Sequence, residues 1–312
     1  MIRIPLSIGS EHGQLHSAVV LPYPHNAIDI SWKDWETVVN PQEREKHPET
    51  GPVNKEKLMK QHWRYVQLLL SAGVSLQKPQ LQDGALCQVF TRDPMFVVGR
   101  QAYIGSMRDE YRFGEMAGLQ PIRQKLQSDV RHHCAVVLTD HSQTLKGSPR
   151  QRRPIVEGGD VMVFDEGNRV LIGTGQTTNI AGYRALAKKL KEKGVMDVVR
   201  VPHDALHLDC CYAPQSNGKA IISSQVPAAS RDILRRFHSE LIPADEDEAR
   251  KELGLNMFWL NPEQVVSHTR APKTNAIVGY AGVEVYELEY DQLTSEWGSF
   301  HCAVAPLFRG KI

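Results

Sequence analysis

Apolar and polar positions along this chain follow a pattern that repeats. Near the middle, two short apolar runs at Val161–Phe164 and Val170–Ile172 flank a polar turn that contains Gly167. Their β-branched content and the turn chemistry predict an antiparallel hairpin. Apolar residues at helical spacing follow over Ile180–Lys193, and Val198–Val201 is a further strand-like run. The order of elements in this unit is therefore strand, strand, helix, strand.

The same order recurs on both sides of this unit. Upstream, the hairpin, helix and closing strand are predicted at Met95–Val98, Ala102–Ile104, Gly114–Gln127 and Ala135–Leu138. Downstream, they are predicted at Asp209–Ala213, Ala220–Ile222, Ser230–His238 and Met257–Leu260. Less regular copies at the two ends comprise Ala18–Leu21 with a helix at Lys55–Ala72, and a strand pair at Ala276–Val278 and Val283–Leu288. About five units with a period of roughly 50 to 60 residues predict one closed or radial repeat architecture, and not two unrelated domains.

Polar motifs stand just before the first strand in three of these units. They are Arg92-Asp93, Glu157-Gly158-Gly159-Asp160 and His207-Leu208-Asp209. Because equivalent points of a radial repeat lie at the same end of its axis, we expect these motifs to form one composite site.

Charge and composition exclude several classes of partner. Lys and Arg total 37 against 36 Asp and Glu, so a formal charge of +1 provides no field for nucleic acid or an anionic membrane. The basic cluster at Lys146–Arg153 contains Gly and Pro and is predicted to be a solvated loop. No apolar run approaches the roughly 18 to 20 residues that cross a bilayer, and the N-terminus is unlike a signal peptide. We expect a cytoplasmic protein.

The cysteines favour neither a disulfide framework nor a metal site. Their number, five, is odd, and no Cys-x-x-Cys pair is present. His132-His133-Cys134 precedes an apolar run, which favours a buried strand over a set of zinc ligands. We therefore predict no metal and no cofactor.

Cys302, His207 and the acidic residues of the three motifs suggest a specific chemistry. Each is ambiguous alone, since Cys302 next to Ala and Val is typical of a core position and His207 of a structural histidine. A guanidinium, however, is planar, carries five N–H donors and is held best by several carboxylates. Its carbon requires a strong nucleophile, and the departing nitrogen requires a proton. A thiol, a histidine and converging carboxylates meet these requirements.

Six motifs together resemble the guanidino-group-modifying superfamily, which has the pentein fold. They are Ser10–Gly13, Phe90–Pro94, Tyr111–Glu115, Glu157–Asp160, His207–Asp209 and His301-Cys302. The superfamily includes arginine deiminase, dimethylarginine dimethylaminohydrolase, arginine dihydrolase and glycine amidinotransferase. The resemblance implies an α/β fold with five-fold pseudosymmetry, an α/β propeller, in which residues 1–312 form a single catalytic domain.

The resemblance also implies a role for each matching residue. Cys302 is implied as the nucleophile, His207 as general acid and then base, and Glu157 as the partner of His207. Asp93 and Asp209 are implied to bind the guanidinium, and Asp160 to support its own loop or bind the substrate amine. An S-amidino-cysteine intermediate then gives a ureido product with ammonia or an amine. We expect the acids to disfavour the Cys302 thiolate in the empty site.

Three positions separate the members of the superfamily. Asp209 favours an unsubstituted guanidinium, Asp93 favours a reaction that stops at the ureido product, and Glu157 favours hydrolysis over transfer. Dimethylarginine dimethylaminohydrolase, amidinotransferase and arginine dihydrolase remain the alternatives, as does a non-catalytic guanidinium-binding protein. Gln176 stands where the superfamily often has an arginine for the substrate carboxylate. Arg112 and Arg270 are the candidate replacements. The expected partner is a small guanidino compound, and homo-oligomer formation is left open.

Overall fold

The structure is a computed structural model that describes residues 5–20, 54–82, 87–127, 136–137 and 153–310. The predicted His132-His133-Cys134 segment lies outside these residues, as does the basic cluster except for Arg153. Two of the four residues predicted as the strand Ala135–Leu138 are described, and both are in a strand.

Fifteen strands in the described part of the chain form five sheets of three strands each. In chain order they are β1 Leu15–Val20, β2 Ser75–Gln77, β3 Met95–Val98, β4 Gln101–Ile104, β5 Val136–Val137, β6 Val161–Phe164, β7 Arg169–Thr174, β8 Asp197–Pro202, β9 Tyr212–Pro214, β10 Ala220–Ile222, β11 Leu241–Pro243, β12 Phe258–Asn261, β13 Gln264–His268, β14 Glu284–Leu288 and β15 Val304–Arg309. The helices are α1 Lys55–Ser71, α2 Glu115–Gly118, α3 Gln120–Gln127, α4 Ile180–Glu192, α5 Ala228–Leu234, α6 Glu246–Lys251, α7 Pro272–Tyr280 and α8 Asp291–Thr294.

All five sheets have one connectivity. The central strand pairs antiparallel with one neighbour and parallel with the other, and a helix connects it to the parallel neighbour. The fifth sheet uses both ends of the chain, because β15 pairs antiparallel with β1, and β1 pairs parallel with β2 after α1. The predicted repeat of strand, strand, helix and strand therefore describes the observed mixed α/β fold.

One predicted strand was assigned to the wrong unit and one was wrong, and both lie in the C-terminal half. Met257–Leu260 overlaps the strand β12, but it does not close the fourth unit: β11 at Leu241–Pro243 does so, and β12 begins the next unit. Ala276–Val278 lies inside α7, which has Pro272 at its first turn. Short apolar runs do not distinguish helix from strand by periodicity, and β11 is too short and too exposed for a strong apolar pattern.

Helices α1 and α4 bury apolar side chains in the core. In α4, Asn179 caps the helix by accepting from the Gly182 amide, and Leu186 and Leu190 are fully buried. In α1, Tyr65 and Leu69 are likewise buried. Among the described residues, the helices are too short or too polar to span a bilayer.

Candidate active site

The loop Glu157–Asp160 approaches two other chain segments so closely that only glycine fits. A Cβ at Gly158 would lie 2.0 Å from the carbonyl oxygen of Arg92, and a Cβ at Gly159 would lie 2.8 Å from the His207 ring. The Gly158 amide also donates to the Asp93 carbonyl at 2.9 Å. The two glycines therefore bring three sequence motifs into contact.

His207 lies between two carboxylates in the interior. Its Nε2 is 2.8 Å from Glu157 Oε2, and its Nδ1 is 3.8 Å from Asp93 Oδ1. Burial lowers the pKa of His207, but the charges of Asp93 and Glu157 outweigh it and raise the pKa well above the usual value. The ring is therefore held as an imidazolium, the form that donates a proton.

Arg112 forms the centre of a buried ion cluster. Its Nε and Nη2 donate to the Glu115 carboxylate at 2.9 Å each, and its Nη1 donates to Asp93 Oδ2 at 3.0 Å. Burial raises the pKa of Glu115 to about 7 in spite of this arginine, and it raises the pKa of Asp93 as well. Arg112 thus neutralises two acids of the protein. It also lines the cavity described below, so its predicted use as a substrate carboxylate ligand stays a prediction.

Cys302 is buried in the turn that precedes β15, and its sulfur has several polar neighbours. Sγ lies 3.7 Å from Asp209 Oδ2, and Asn256 Nδ2 donates to it at 3.2 Å. The Cys210 thiol and the His207 ring lower the pKa of Cys302, although burial and Asp209 raise it, and the net direction is downward. This direction is opposite to the expectation that the empty site disfavours the thiolate. The acids do act as expected, but two hydrogen-bond donors outweigh them.

Asp209 belongs to a chain of buried charges next to the sulfur. Its Oδ2 is 2.8 Å from His301 Nδ1, and His301 Nε2 is 3.4 Å from Glu11 Oε2. Arg92 donates from Nη2 to Glu11 Oε1 at 3.3 Å. Burial raises the pKa of Asp209, but His301 outweighs it and holds the pKa below its ordinary value. The carboxylate that the sequence assigned to the substrate is ionised and adjoins the sulfur.

Asp160 anchors the loop that carries His207 (residues 203–209, called the histidine loop) instead of facing the substrate. Its Oδ1 accepts from the Leu208 amide and from His203 Nε2, each at 2.8 Å. Its Oδ2 accepts from the Thr177 hydroxyl and the Thr178 amide. The side chain is completely buried, so the predicted contact with a substrate amine is not supported. Support of the loop, the other predicted role, agrees with these bonds.

A cavity of about 260 Å³ opens onto these groups. Side chains of the three motifs line it together with the nucleophile candidate: Asp93, Glu157, His207 and Cys302. Arg108 and Gln176 also line it, and Arg108 Nη1 donates to the Gln176 carbonyl at 3.4 Å. Arg270 lies elsewhere, with its side chain 53% exposed and 3.1 Å from Asp291. Its proposed contact with the substrate is therefore not supported, and Arg108 is a cation of the cavity that sequence reasoning missed.

Two groups of buried side chains have the residue types of a metal site. The ligand atoms of Asp93, Glu157 and His207 lie within 4.8 Å of one another, as do those of His207, Asp209 and Cys210. The Arg112 guanidinium contacts Asp93 and lies 3.7 Å from Glu157, so a positive charge already balances these acids. Because Arg112 offsets the acids of the first group and His301 pairs with Asp209 of the second, we assign no metal to either group.

The fold and this arrangement of thiol, histidine and carboxylates define a member of the guanidino-group-modifying, or pentein, superfamily. The family model for arginine deiminase matches residues 85–240 and 238–309, and the chain belongs to this family. Two solved structures share the fold. The amidinotransferase SxtG of Microseira wollei has a TM-score of 0.75 at 17% identity, with 99% of this chain and 98% of that chain covered. DDAH of Pseudomonas aeruginosa, solved in complex with citrulline, has a TM-score of 0.72 at 19% identity, with 94% and 99% covered.

Curated relatives give the same assignment. The Bacillus subtilis (strain 168) protein YkgA, which is uncharacterized, is 30% identical over 304 residues, 97% of this chain and 95% of that protein. The arginine deiminase of Listeria welshimeri is 24% identical over 280 residues, 77% of this chain. The match covers 66% of the Listeria enzyme, so that enzyme is substantially longer than the matched region.

Proposed function

We propose that this protein is a cysteine-dependent hydrolase that cleaves a C–N bond of a guanidinium compound and releases a ureido product. One observation carries the proposal. Asp93 Oδ1 and His207 Nδ1 are buried and face one another across 3.8 Å, and Asp93 Oδ1 has no hydrogen-bond partner within the described residues. Buried polar atoms normally have a partner, so a ligand is the natural source of one. A planar cation with N–H groups fits an unpaired carboxylate oxygen next to a thiol.

The reaction proceeds in two steps. The Cys302 sulfur attacks the guanidinium carbon and forms an S–C bond, while the C–N bond breaks and His207 gives its proton to the departing nitrogen. His207, held by Glu157, then accepts a proton from water as the water oxygen bonds to the carbon. The S–C bond breaks, which returns the thiolate and releases the ureido product. Asp93 holds the guanidinium, and Asp209 holds its other side next to the sulfur.

Arg108 is the proposed ligand for a substrate carboxylate. It lines the cavity next to Gln176, the residue that replaces the superfamily arginine, and its Nη2 also pairs with Asp109 at 2.6 Å. The expected substrate is therefore arginine or a derivative that retains the carboxylate. An Arg108→Ala variant should raise KM for arginine about tenfold, on the order of one lost charged hydrogen bond, and leave KM for agmatine unchanged.

The proposal extends to the whole chain. The five sheets with one connectivity support a five-fold α/β propeller and a single catalytic domain over residues 1–312. The pairing of β15 with β1 supports closure of the ring. Four cysteines among the described residues are free thiols, which supports a reducing cytoplasm as the site of action. A partner other than the small guanidino substrate is not proposed.

Incubation with arginine, methylated arginines, agmatine and guanidinoacetate tests the reaction. The ureido product should appear with one member of the panel, and quenched protein should carry an amidino group on Cys302 by peptide mass spectrometry. Cys302→Ala should abolish both, whereas Cys211→Ala, a matched buried thiol, should retain both. Transfer of the amidino group to an added amine would instead favour an amidinotransferase. Binding of a guanidinium by calorimetry without turnover would overturn the proposal in favour of a binding protein.

A further inference from the structure

Asn256 is buried directly behind the nucleophile candidate, in the segment that leads into β12. Its side-chain oxygen accepts from the backbone amides of His301 and Cys302 at 3.2 Å each. Its side-chain nitrogen donates to the Cys302 sulfur at 3.2 Å and to the Asp209 carbonyl at 3.4 Å. The Asn256 side chain therefore contacts the Cys302 sulfur, the backbone of residues 301 and 302, and the backbone of the motif that contains Asp209.

The orientation of this amide follows from its partners. Two backbone N–H groups point at one end and require an acceptor, so the oxygen must lie there. A flipped amide would place its NH₂ against two other donors. The nitrogen is consequently directed at the sulfur and at a carbonyl oxygen, both of which accept. All four hydrogen-bonding positions of the Asn256 side chain are used.

This donor differs from the other groups around the sulfur. Asp209 and Asp93 are acids, His207 changes protonation during the reaction, and Cys210 is a titratable thiol. Asn256 is neutral at every pH and makes its bond before any substrate enters. A hydrogen bond from a neutral N–H to an anionic sulfur stabilises the thiolate without adding charge to a crowded ion cluster.

We propose that Asn256 is a catalytic residue of this site, whose amide donates to the Cys302 sulfur while its oxygen fixes the backbone that carries that sulfur. The inference rests on the proposed function, in which the thiolate both attacks and departs. The donor stabilises the sulfur as it takes up negative charge when the S–C bond of the intermediate breaks. It also aims the sulfur toward the cavity through the amides of residues 301 and 302.

Alkylation of Cys302 by iodoacetamide, measured against pH in the substrate-free protein, tests this role without reference to turnover. Asn256→Asp keeps the acceptor oxygen and replaces the donor, so alkylation at pH 7 should slow about tenfold or more, and its pH profile should move to higher pH. Asn256→Ala removes the donor without adding charge and should show a smaller displacement in the same direction. Asn275→Asp is the matched control, since the Asn275 amide donates to the His268 carbonyl, away from the sulfur. Its alkylation profile should equal that of the unmodified protein.

Thermal unfolding of each variant separates loss of the donor from loss of the fold. If folded Asn256→Ala and Asn256→Asp both alkylate with the native rate and pH profile, Asn256 has no role at the sulfur and the inference is wrong. If the variants change the profile while the unmodified protein turns over no guanidino compound, the proposed function fails and the contact of Asn256 with the thiolate stands.

Discussion

Replacement of Asp160 by Asn tests whether this residue anchors the histidine loop. The substitution is isosteric, but it turns one acceptor oxygen into a donor and removes the charge. If the remaining oxygen still accepts the hydrogen bonds from the Leu208 amide and His203, the new NH₂ faces the Thr178 amide. The Thr178 amide then has no acceptor. The Thr177 hydroxyl can rotate and accept instead.

The magnitude follows from these contacts. A buried donor without a partner costs about 1–3 kcal/mol, and a charged hydrogen bond that becomes neutral costs about 1 kcal/mol more. We expect Asp160→Asn to lower the free energy of unfolding by about 3 kcal/mol, which corresponds to a fall in Tm of roughly 5 °C for a chain of this size. Burial raises the pKa of Asp160, but His203 outweighs it and holds the pKa far below its usual value. The stabilisation is therefore present above the unfolded pKa and is lost in the native protein only as the pH falls through the lower folded value.

Kinetics distinguish the anchor from a substrate ligand. Because Leu208 follows His207, a displaced loop should lower kcat about 100-fold with little change in KM. Differential scanning calorimetry and steady-state assays on the best substrate measure both effects. Asp232→Asn, at a position with a side chain 73% exposed, is the control and should change neither. If Asp160→Asn had the native Tm and a raised KM, Asp160 would not be the anchor of the loop, and the predicted contact with the substrate amine would be favoured.

Three further substitutions test other parts of the site. Glu157→Gln removes one of the acids that raise the pKa of His207, so the imidazolium should lose its proton at lower pH. The alkaline limb of the kcat/KM profile should therefore move to lower pH, and a limb at the native pH would contradict this. Arg112→Met leaves Asp93 and Glu115 without their cation and should lower the free energy of unfolding by about 3–5 kcal/mol at pH 8. The loss should be smaller at pH 5, where Glu115, with its pKa already raised to about 7, binds a proton; urea unfolding at both pH values measures it. Arg270→Ala should leave kcat/KM within about twofold, and a selective rise in KM for carboxylate substrates would return Arg270 to the site.

The sequence determined the repeat and the positions of its polar motifs, because both depend on local patterns. Alternation of apolar residues, turn chemistry and helical periodicity are properties of short segments, and they gave β6 and β10 with their observed bounds. The same reasoning failed at Ala276–Val278, where a short apolar run occurs in a helix. Once the repeat was recognised, the approach of Asp93, Glu157 and His207 followed from the equivalence of their positions.

Only the tertiary structure decided which groups pair within the site. Arg112 is 19 residues from Asp93 and 45 from Glu157, yet it contacts both acids, so its guanidinium is paired within the protein. Asn256 stands in a segment without any polar motif, so its contact with a sulfur 46 residues away could not be expected from the sequence. Burial, partner choice and the resulting pKa directions depend on packing between distant segments. Local patterns bring functional side chains to one place, and the packed neighbours then determine what each can bind.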